Sequence, residues 1–353
     1  MRRGVGSGGG GAATTDDREA PVLAALHAAR AAAVRTFHER LPEMGRAARL
    51  RAVHAACRLT GFLPEGAEIR TVRCTTAAGP LLVVLNPRRA RPHAVHPLPP
   101  PLPRPPCPLC DLPWNQLWLE LELAGVRWRA APSPAPYLPV PQWTVATAVH
   151  RPQEPADGDE AHALFAAMTG LLERVPGLLL GWNGVGAGAS LPAHRHFHAL
   201  DRAAARLLPR PGGEDAAVLA FAGPAAAVAE GLARALLAWR AEAGEVATAN
   251  AALWTEGGRI HARFVRRDRR RERLPALSEV RAGFLEAAFH TVILRTPDSI
   301  AAFERGRLGA EELAASLTAL RPDPGGDGRG DRHTCTCAAD HAPETGDERR
   351  QDV

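Results

Sequence analysis

Three histidines at alternate positions follow a glycine-rich stretch near the middle of the chain. The stretch, residues 181–193, reads Gly-Trp-Asn-Gly-Val-Gly-Ala-Gly-Ala-Ser-Leu-Pro-Ala, and the histidines are His194, His196 and His198. In a β-strand, alternate side chains point to one face, so a strand here would place three imidazoles in a row. A glycine-rich loop lets backbone N–H groups approach a phosphate closely. Because imidazole can act as a nucleophile, as an acid or base, or as a metal ligand, the pattern indicates nucleophilic attack on phosphorus.

Composition narrows the class of protein. A chain of 353 residues is long enough for two domains of about 150 residues, and a hydrophobic fraction of 46% is ample for packed cores. The net charge of +5 suits anionic ligands but does not favour a dedicated nucleic-acid binder. Six cysteines are too sparse for a secreted disulfide scaffold, and the longest apolar stretch, residues 175–182, is too short to span a bilayer. We therefore expect a cytoplasmic protein with no membrane partner.

Hydrophobic periodicity predicts strands and helices around the histidine segment. A helix capped at Asp157 or Asp159 should reach Val175, and a buried strand from Leu178 to Asn183 should deliver the glycine loop. Further helices are predicted in residues 17–60, Pro224–Gly244, around Leu277–Ala288 and, as a pair, in Ser299–Leu320. Strands are predicted near Glu68–Cys74, Leu81–Leu85, Gln116–Leu123, Val126–Ala131, Trp143–Ala148, Glu245–Trp254 and Arg259–Val265. Residues 1–16 and 321–353 are polar or glycine-rich, which predicts disordered tails.

The order of residues in the histidine segment resembles a known motif. Asn183 is followed by small residues from Gly184 to Ser190, then by Pro192 and the three histidines. This is similar to the histidine-triad superfamily, in particular to the branch of galactose-1-phosphate uridylyltransferase, diadenosine-tetraphosphate phosphorylase and GDP-hexose phosphorylases. The branch pattern ends in His-x-His-x-Gln, and its middle histidine is the nucleophile, a role that the resemblance assigns to His196. The chain has His198 where the branch has glutamine and where the hydrolase branch has histidine.

A second part of the resemblance concerns a metal. Three passages look like parts of the same branch: Cys107-Pro-Leu-Cys110, Ser133-Pro-Ala-Pro-Tyr-Leu-Pro139 and His150-Arg-Pro-Gln153. In the second of them, Ser133 stands where the branch usually has asparagine. One Cys-x-x-Cys pair is half of a zinc site. In uridylyltransferases the pair is completed by a downstream histidine and the first triad histidine. The resemblance therefore implies a structural zinc ion held by Cys107, Cys110, His150 and His194.

The resemblance, which covers roughly residues 65–300, also implies the architecture. We expect an α+β fold of tandem histidine-triad-like units, each an antiparallel sheet with packed helices. The catalytic unit with its helical lead-in should span residues 17–210, and the second unit should span residues 211–320. Between them they would leave only the two predicted disordered tails outside the fold.

The function implied by the resemblance is that of a nucleotidyltransferase or phosphorylase with a nucleotidyl-histidine intermediate. The substrate would be a nucleotide sugar or a dinucleoside polyphosphate, and the acceptor inorganic phosphate or a sugar phosphate. His196 would attack phosphorus, with His194 and His198 beside it. The phosphates would be held at Asn183, Gly186, Gly188 and Ser190. A homodimer is left open.

The same residues also allow other interpretations of the function. A histidine at position 198 can shuttle a proton where a glutamine only forms hydrogen bonds, so a histidine-triad hydrolase is an alternative. A nucleotide- or metal-binding protein without turnover is another. The alternating histidines also allow a cupin-type metal site or a solvated strand, and the basic run 266–273 allows either phosphate contacts or a solvated loop.

Overall fold

One antiparallel sheet of eight strands carries the histidine segment in its interior. In this computed structural model the described residues are 32, 45–59, 63, 69–90, 107, 109–110, 117–201, 203–209 and 215–322, and all of them belong to one unit within residues 1–322. The predicted tail 1–16 lies outside these ranges. So does the predicted tail 321–353, apart from its first two residues.

The strands and helices have the following bounds. The strands are β1 Arg70–Thr76, β2 Gly79–Leu85, β3 Leu119–Leu123, β4 Val126–Pro132, β5 Gln142–Thr147, β6 Leu178–Asn183, β7 His196–Asp201, β8 Val218–Gly223, β9 Ala247–Glu256, β10 Arg259–Asp268, β11 Arg273–Leu274, β12 Leu277–Arg281 and β13 Thr291–Leu294. The α-helices are α1 Arg46–Leu59, α2 Gly158–Arg174, α3 Ala203–Leu207, α4 Ala225–Ala243, α5 Phe284–Phe289, α6 Pro297–Glu304 and α7 Ala310–Thr318.

The eight-stranded sheet has the order β3-β4-β5-β7-β6-β9-β10-β8, and all its neighbouring strands are antiparallel. Strands from both predicted units belong to it, because β6 pairs with β9 through registers such as Gly181 opposite Ala252. A smaller sheet, β1-β2-β13, pairs β13 parallel to β2. The expected α+β architecture with antiparallel sheets and packed helices is confirmed, whereas the unit boundary at residues 210–211 stays a prediction.

Helix α2 has a cap and a buried apolar face that the sequence pattern predicts. Its N-cap is Asp157, whose carboxylate accepts a hydrogen bond from the backbone N–H of Glu160 and so satisfies a free donor of the first turn. The predicted apolar stripe is buried against the sheet and α4: Leu164, Met168, Leu171 and Val175. The opposite face of the sheet is covered by α5, whose Phe284 packs with Leu179 and Leu200. The histidines therefore lie on the face that α5 covers.

The helix predicted around Leu277–Ala288 is wrong in its first half. Residues 277–281 form strand β12, and the helix begins only at Phe284. Leu277 and Val280 are both buried in a cluster with α7, and their spacing of three residues imitates the period of a helix. Sequence periodicity by itself does not distinguish such a strand from a helix.

Where they fall on described residues, the other predicted elements agree with the structure to within a few residues. Of the helices predicted in residues 17–60, the part at 46–59 is present as α1, and almost all of residues 17–44 lies outside the described residues. The helix pair in Ser299–Leu320 is present as α6 and α7, and the strand Leu178–Asn183 is present as β6. Strands β8 and β13 were not predicted. Within the described ranges, no helix is long and apolar enough to cross a membrane.

Candidate functional site

Two cysteines and two histidines converge at one end of the sheet. The ligand atoms of Cys107, Cys110, His150 and His194 all lie within 4.8 Å of one another. The sulfur of Cys107 lies 3.2 Å from Nδ1 of His194, and the sulfur of Cys110 lies 3.3 Å from Nδ1 of His150 and 3.4 Å from Nδ1 of His194. Tetrahedral zinc with ordinary bond lengths would place such sulfur and nitrogen atoms about 3.5 Å apart. The four side chains could therefore bind a metal ion.

The His194 ring is oriented by a hydrogen bond on its far side. Its Nε2 lies 2.8 Å from the backbone carbonyl oxygen of Thr147, which can only accept, so Nε2 carries the proton and Nδ1 keeps its lone pair. Burial lowers the pKa of His194, which favours the neutral imidazole that a metal requires. A backbone carbonyl behind a ligating histidine is the usual arrangement in metal sites.

His194 does not lie on the histidine strand. Strand β7 begins at His196, and His194 sits in the preceding turn, where its N–H donates to the carbonyl of Leu191. The prediction of three imidazoles in one row is therefore wrong. The turn separates His194 from the strand and directs it to the cysteines, while His196 and His198 share a face with ring centroids 5.4 Å apart.

His196 is buried, and the backbone holds its ring. Its Nδ1 lies 2.8 Å from the carbonyl oxygen of His194, so Nδ1 donates and Nε2 carries the lone pair. No hydrogen-bond partner for Nε2 is found among the residues that the structure describes. Burial lowers the pKa of His196 to about 4, so the imidazole is neutral at pH 7. A neutral, oriented imidazole with a free Nε2 has the properties of a nucleophile.

Gln153 connects the strand of His196 to the glycine loop. Its side-chain oxygen accepts from the backbone N–H of His196 at 2.8 Å, and its amide donates to the carbonyls of His196 and Asn183 at 2.9 and 2.7 Å. Gln153 is fully buried. One side chain therefore sets the spacing between the start of β7 and the end of β6.

His198 is enclosed by aromatic rings. Its Nε2 lies 3.0 Å from the hydroxyl of Tyr137, and the two rings are perpendicular. The ring of Phe284 lies nearly parallel to the imidazole, at 6.2 Å between centroids. Burial lowers the pKa of His198 well below its ordinary value, and His196 and Arg89 lower it further. At neutral pH this imidazole is uncharged.

The glycine loop packs closely against the second half of the chain. A Cβ at Gly186 would lie 2.5 Å from the side chain of Arg269, and one at Gly188 would lie 2.5 Å from the carbonyl oxygen of Ala282. Both glycines also have φ values of +78° and +91°, which favour glycine. These glycines are thus explained by backbone conformation and close packing, whatever ligand the loop meets. Ser190, at the end of the loop, is exposed.

Asn183 belongs to a buried polar network. Its side-chain oxygen accepts from the backbone N–H of Phe284 at 2.7 Å and from the amide of Asn250 at 2.9 Å. The oxygen of Asn250 accepts in turn from Arg267 at 2.8 Å. Arg267 is fully buried, and burial lowers its pKa to about 10, so it stays charged at pH 7. The network ties β6, β9, β10 and the start of α5 together, and Gln153 links the carbonyl of Asn183 to that of His196.

The architecture is similar to that of solved structures. The chain is similar to yeast Ap4A phosphorylase Apa2 in complex with Ap4A, with a TM-score of 0.54 and 12% identity over 79% of this chain and 98% of that chain. It is also similar to the same phosphorylase in complex with AMP, with a TM-score of 0.52 and 13% identity over 79% and 97% of the two chains. The chain has the fold of yeast Ap4A phosphorylase. No protein-family model and no curated protein matches the sequence.

The Ap4A phosphorylase fold confirms the resemblance read from the histidine motif at the level of architecture. At identities of 12–13% the likeness concerns the fold alone. The chemistry of the site therefore depends on the side chains of this chain. The structure brings the four predicted metal ligands together, and the His196 ring bonds to the carbonyl of His194 and lies 5.4 Å from the His198 ring.

Several residues that shape the site within this Ap4A phosphorylase fold were not predicted. Tyr137 and Gln153 lie in passages that resemble the family, but nothing in their spacing indicates a contact with the histidines. Phe284 is more than 80 residues from the triad in the sequence, so only the fold reveals the contact. Several arginines of the basic run 266–273 are engaged within the protein. Arg267, Arg269 and Arg270 donate hydrogen bonds to carbonyl or carboxylate oxygens of other residues.

Proposed function

We propose that the protein is a nucleotidyltransferase that forms a nucleotidyl-histidine at His196. The observation that carries the proposal is the orientation of this ring. Because Nδ1 donates to the carbonyl of His194, Nε2 is the nitrogen with the lone pair, and burial keeps it unprotonated. A covalent nucleophile of this kind divides one difficult displacement into two easier ones.

The proposed reaction has two balanced displacements. In the first, Nε2 of His196 forms a bond to the α-phosphorus of the nucleotide, and the bond from phosphorus to the bridging oxygen breaks, so that the leaving phosphate takes the electron pair. In the second, an oxygen of inorganic phosphate or of a sugar phosphate forms the new bond to phosphorus and the nitrogen leaves. Catalysis of such steps rests on positioning and on stabilisation of charge.

Dinucleoside polyphosphates are the proposed first class of substrate, and nucleotide sugars the second. The similar solved structures are those of a phosphorylase with Ap4A and with AMP, which supports the first class. Both classes contain a phosphate–oxygen–phosphate link next to a nucleoside, so the same displacement serves either. A cytoplasmic location, expected from the sequence, is part of the same proposal.

The glycine loop is the proposed phosphate contact. Three of its N–H groups are already engaged, because Gly184 donates to Ala249, Val185 to Glu154 and Ala187 to Gly184. Among the described residues, no acceptor is found for the N–H groups of Gly186, Gly188, Ala189 and Ser190. These four, with the side-chain amide N–H groups of Asn183, are the groups left to meet the phosphate oxygens.

Zinc is the proposed metal of the Cys107, Cys110, His150 and His194 cluster. Two sulfurs and two nitrogens at the observed separations suit zinc, which prefers such ligands in tetrahedral geometry. With four protein ligands the site is closed, so its role is structural. The ion would hold the turn before β7 against Cys107 and Cys110, and through the His194 carbonyl it would steady the His196 ring.

The test is a search for the covalent intermediate. The protein is incubated with diadenosine tetraphosphate labelled at the α-phosphate, and in parallel with a labelled nucleotide sugar, and the denatured protein is examined for acid-labile label on histidine. Label should appear in the unaltered protein and be absent from His196→Ala. His162→Ala, which removes an exposed histidine on α2, should label normally. Equal labelling of His196→Ala, or no label with any substrate, would contradict the proposal and leave a hydrolase without this intermediate or a binding protein.

A further inference from the structure

Tyr137 and His198 form a buried polar pair on the face of the sheet that holds His196. The phenol oxygen lies 3.0 Å from Nε2 of the imidazole, and the ring centroids lie 5.0 Å apart at 88°. Both side chains are buried. Tyr137 is the single tyrosine of the chain.

Neighbouring groups hold both rings in place. The guanidinium carbon of Arg89 lies 4.1 Å from the centre of the Tyr137 ring, and Arg89 also donates to the carbonyl of Ala135 at 2.6 Å. Phe284 lies parallel to His198, at 17°. Neither ring of the pair can turn away without displacing one of these neighbours, so the contact between hydroxyl and imidazole is part of the packed core.

Counting donors and acceptors decides where the proton of His198 lies. Nδ1 of His198 is buried and has no hydrogen-bond partner in the part of the chain that the structure describes. If Nε2 carried the proton, the Tyr137 hydroxyl would lack an acceptor among the described residues and Nδ1 would remain unpaired. If Nδ1 carries the proton, the hydroxyl donates to Nε2 and only the Nδ1–H group is unpaired. The second arrangement leaves fewer buried groups unsatisfied.

We propose that Tyr137 holds His198 in the tautomer with the proton on Nδ1, and that this N–H donates to a phosphate oxygen of the bound substrate. This inference rests on the proposed function and assigns Tyr137 as a positioning residue. His198 would then act as a neutral hydrogen-bond donor, which is what an amide side chain does. Because Nε2 is occupied by the tyrosine hydroxyl and Nδ1 carries the proton, the imidazole takes no proton from water. The acceptor would be a phosphate anion rather than water.

The electrostatic surroundings agree with this role. His196 on β7 and Arg89 on the turn after β2 both disfavour a positive charge on His198, and burial lowers the pKa of His198 further. An imidazole that stays neutral is a poor general base at neutral pH. An oxygen of a phosphate anion can attack without losing a proton, so transfer to phosphate needs no general base at position 198. Attack by water does need one.

The tautomer is tested directly by nitrogen NMR of the full-length protein labelled with ¹⁵N-histidine. Among 14 histidines, the signals of His198 are those that disappear in His198→Gln. The proton should reside on Nδ1 in the unaltered protein, and Tyr137→Phe, which keeps the packed ring, should give a mixture of tautomers. A proton on Nε2 in the unaltered protein would overturn the inference, as would an unchanged tautomer in Tyr137→Phe.

Kinetics test the consequence for the acceptor. With diadenosine tetraphosphate and inorganic phosphate, the ratio of hydrolysis to phosphorolysis should rise about fivefold in Tyr137→Phe, the factor expected for one ordinary hydrogen bond. In the His198→Gln background the same change should leave the ratio at the value of His198→Gln alone, because the tyrosine would act only through the imidazole. An equal rise in both backgrounds would indicate a merely structural role and overturn the inference.

The two arms separate this inference from the proposed function. If no nucleotide is labelled or turned over, the proposed function fails, and the NMR arm still decides whether Tyr137 sets the tautomer. If the intermediate forms at His196 but the tautomer or the ratio does not depend on Tyr137, the proposed function stands and this inference fails.

Discussion

The ring of Phe284 occupies the space that a side chain at position 181 would need. A Cβ added to Gly181 would lie 2.3 Å from carbon atoms of that ring. Gly181 pairs directly with His198 across β6 and β7, and the same phenylalanine lies parallel to the His198 imidazole. The absence of a side chain at one strand position therefore lets α5 close over the histidine face.

We expect Gly181→Ala to destabilise the fold by about 1–3 kcal/mol, the usual cost of overpacking a core. Gly223→Ala is the control, because a Cβ there meets no atom within 4 Å although the residue also lies in a strand of the same sheet. Urea unfolding followed by circular dichroism measures both. Equal midpoints for the two variants would show that α5 moves freely from the sheet.

Replacement of His196 should have a far greater effect on turnover than replacement of His198. Loss of a covalent nucleophile should lower kcat at least about 10⁴-fold. His198→Gln keeps a hydrogen-bonding group and should cost only about tenfold. His162→Ala, on the exposed side of α2, should behave as the unaltered protein. Steady-state rates with diadenosine tetraphosphate and phosphate provide the measurement, and a reversed order would place the nucleophile at His198.

Removal of the metal should weaken the start of β7. Protein purified without chelator should contain stoichiometric zinc, and Cys107→Ser should lose it together with several degrees of Tm, since structural zinc contributes folding energy. Cys74→Ser is the matched control, because Cys74 is a half-buried cysteine on β1, outside the cluster. Metal analysis and thermal unfolding are compared. Zinc retained by Cys107→Ser at full stoichiometry would exclude this cluster as the site.

Glu160 should stabilise the fold in a pH-dependent way. The backbone N–H of Ala156 and the guanidinium of Arg195 hold the pKa of Glu160 below its ordinary value. A depressed pKa in the folded state means that the contribution is present above the unfolded-state pKa of about 4.3, and is lost as the pH falls through the folded-state value. The stability difference between the unaltered protein and Glu160→Gln should therefore be larger at pH 7 than at pH 3.

The control for this pH dependence is Glu230→Gln, which breaks an exposed ion pair with Arg234 on α4. Exposed pairs contribute little to stability, so this variant should change the unfolding midpoint little at either pH. Chemical unfolding at the two pH values measures both variants. If the Glu160→Gln difference grew as the pH fell, the hydrogen bonds to Ala156 and Arg195 would not be the source of the stabilisation.

Local patterns predicted those elements whose signals lie within a few residues. Asp157, one of the two predicted caps, is the N-cap of α2, and the apolar stripe of α2 and the strand that leads into the glycine loop are also present. The metal cluster was implied by the resemblance, and the four side chains meet in space. Periodicity was misleading at Leu277 and Val280, because two buried positions three apart fit a strand with an irregular burial pattern as well as a helix.

The sequence by itself determined the buried face of α2, its start at Asp157 or Asp159, the strand that ends at Asn183, and the chemical types of the histidine and cysteine groups, since these follow from neighbours along the chain. Only the tertiary structure decided that His194 turns away from His196, that Tyr137 meets His198, and that Phe284 closes over Gly181. Arg267 and Asn250 likewise form a buried network that no spacing indicated. The longest of these contacts joins Gly181 and Phe284, which lie more than 100 positions apart in the sequence. The geometry of such contacts depends on sheet order and packing, which a short stretch of sequence does not reveal.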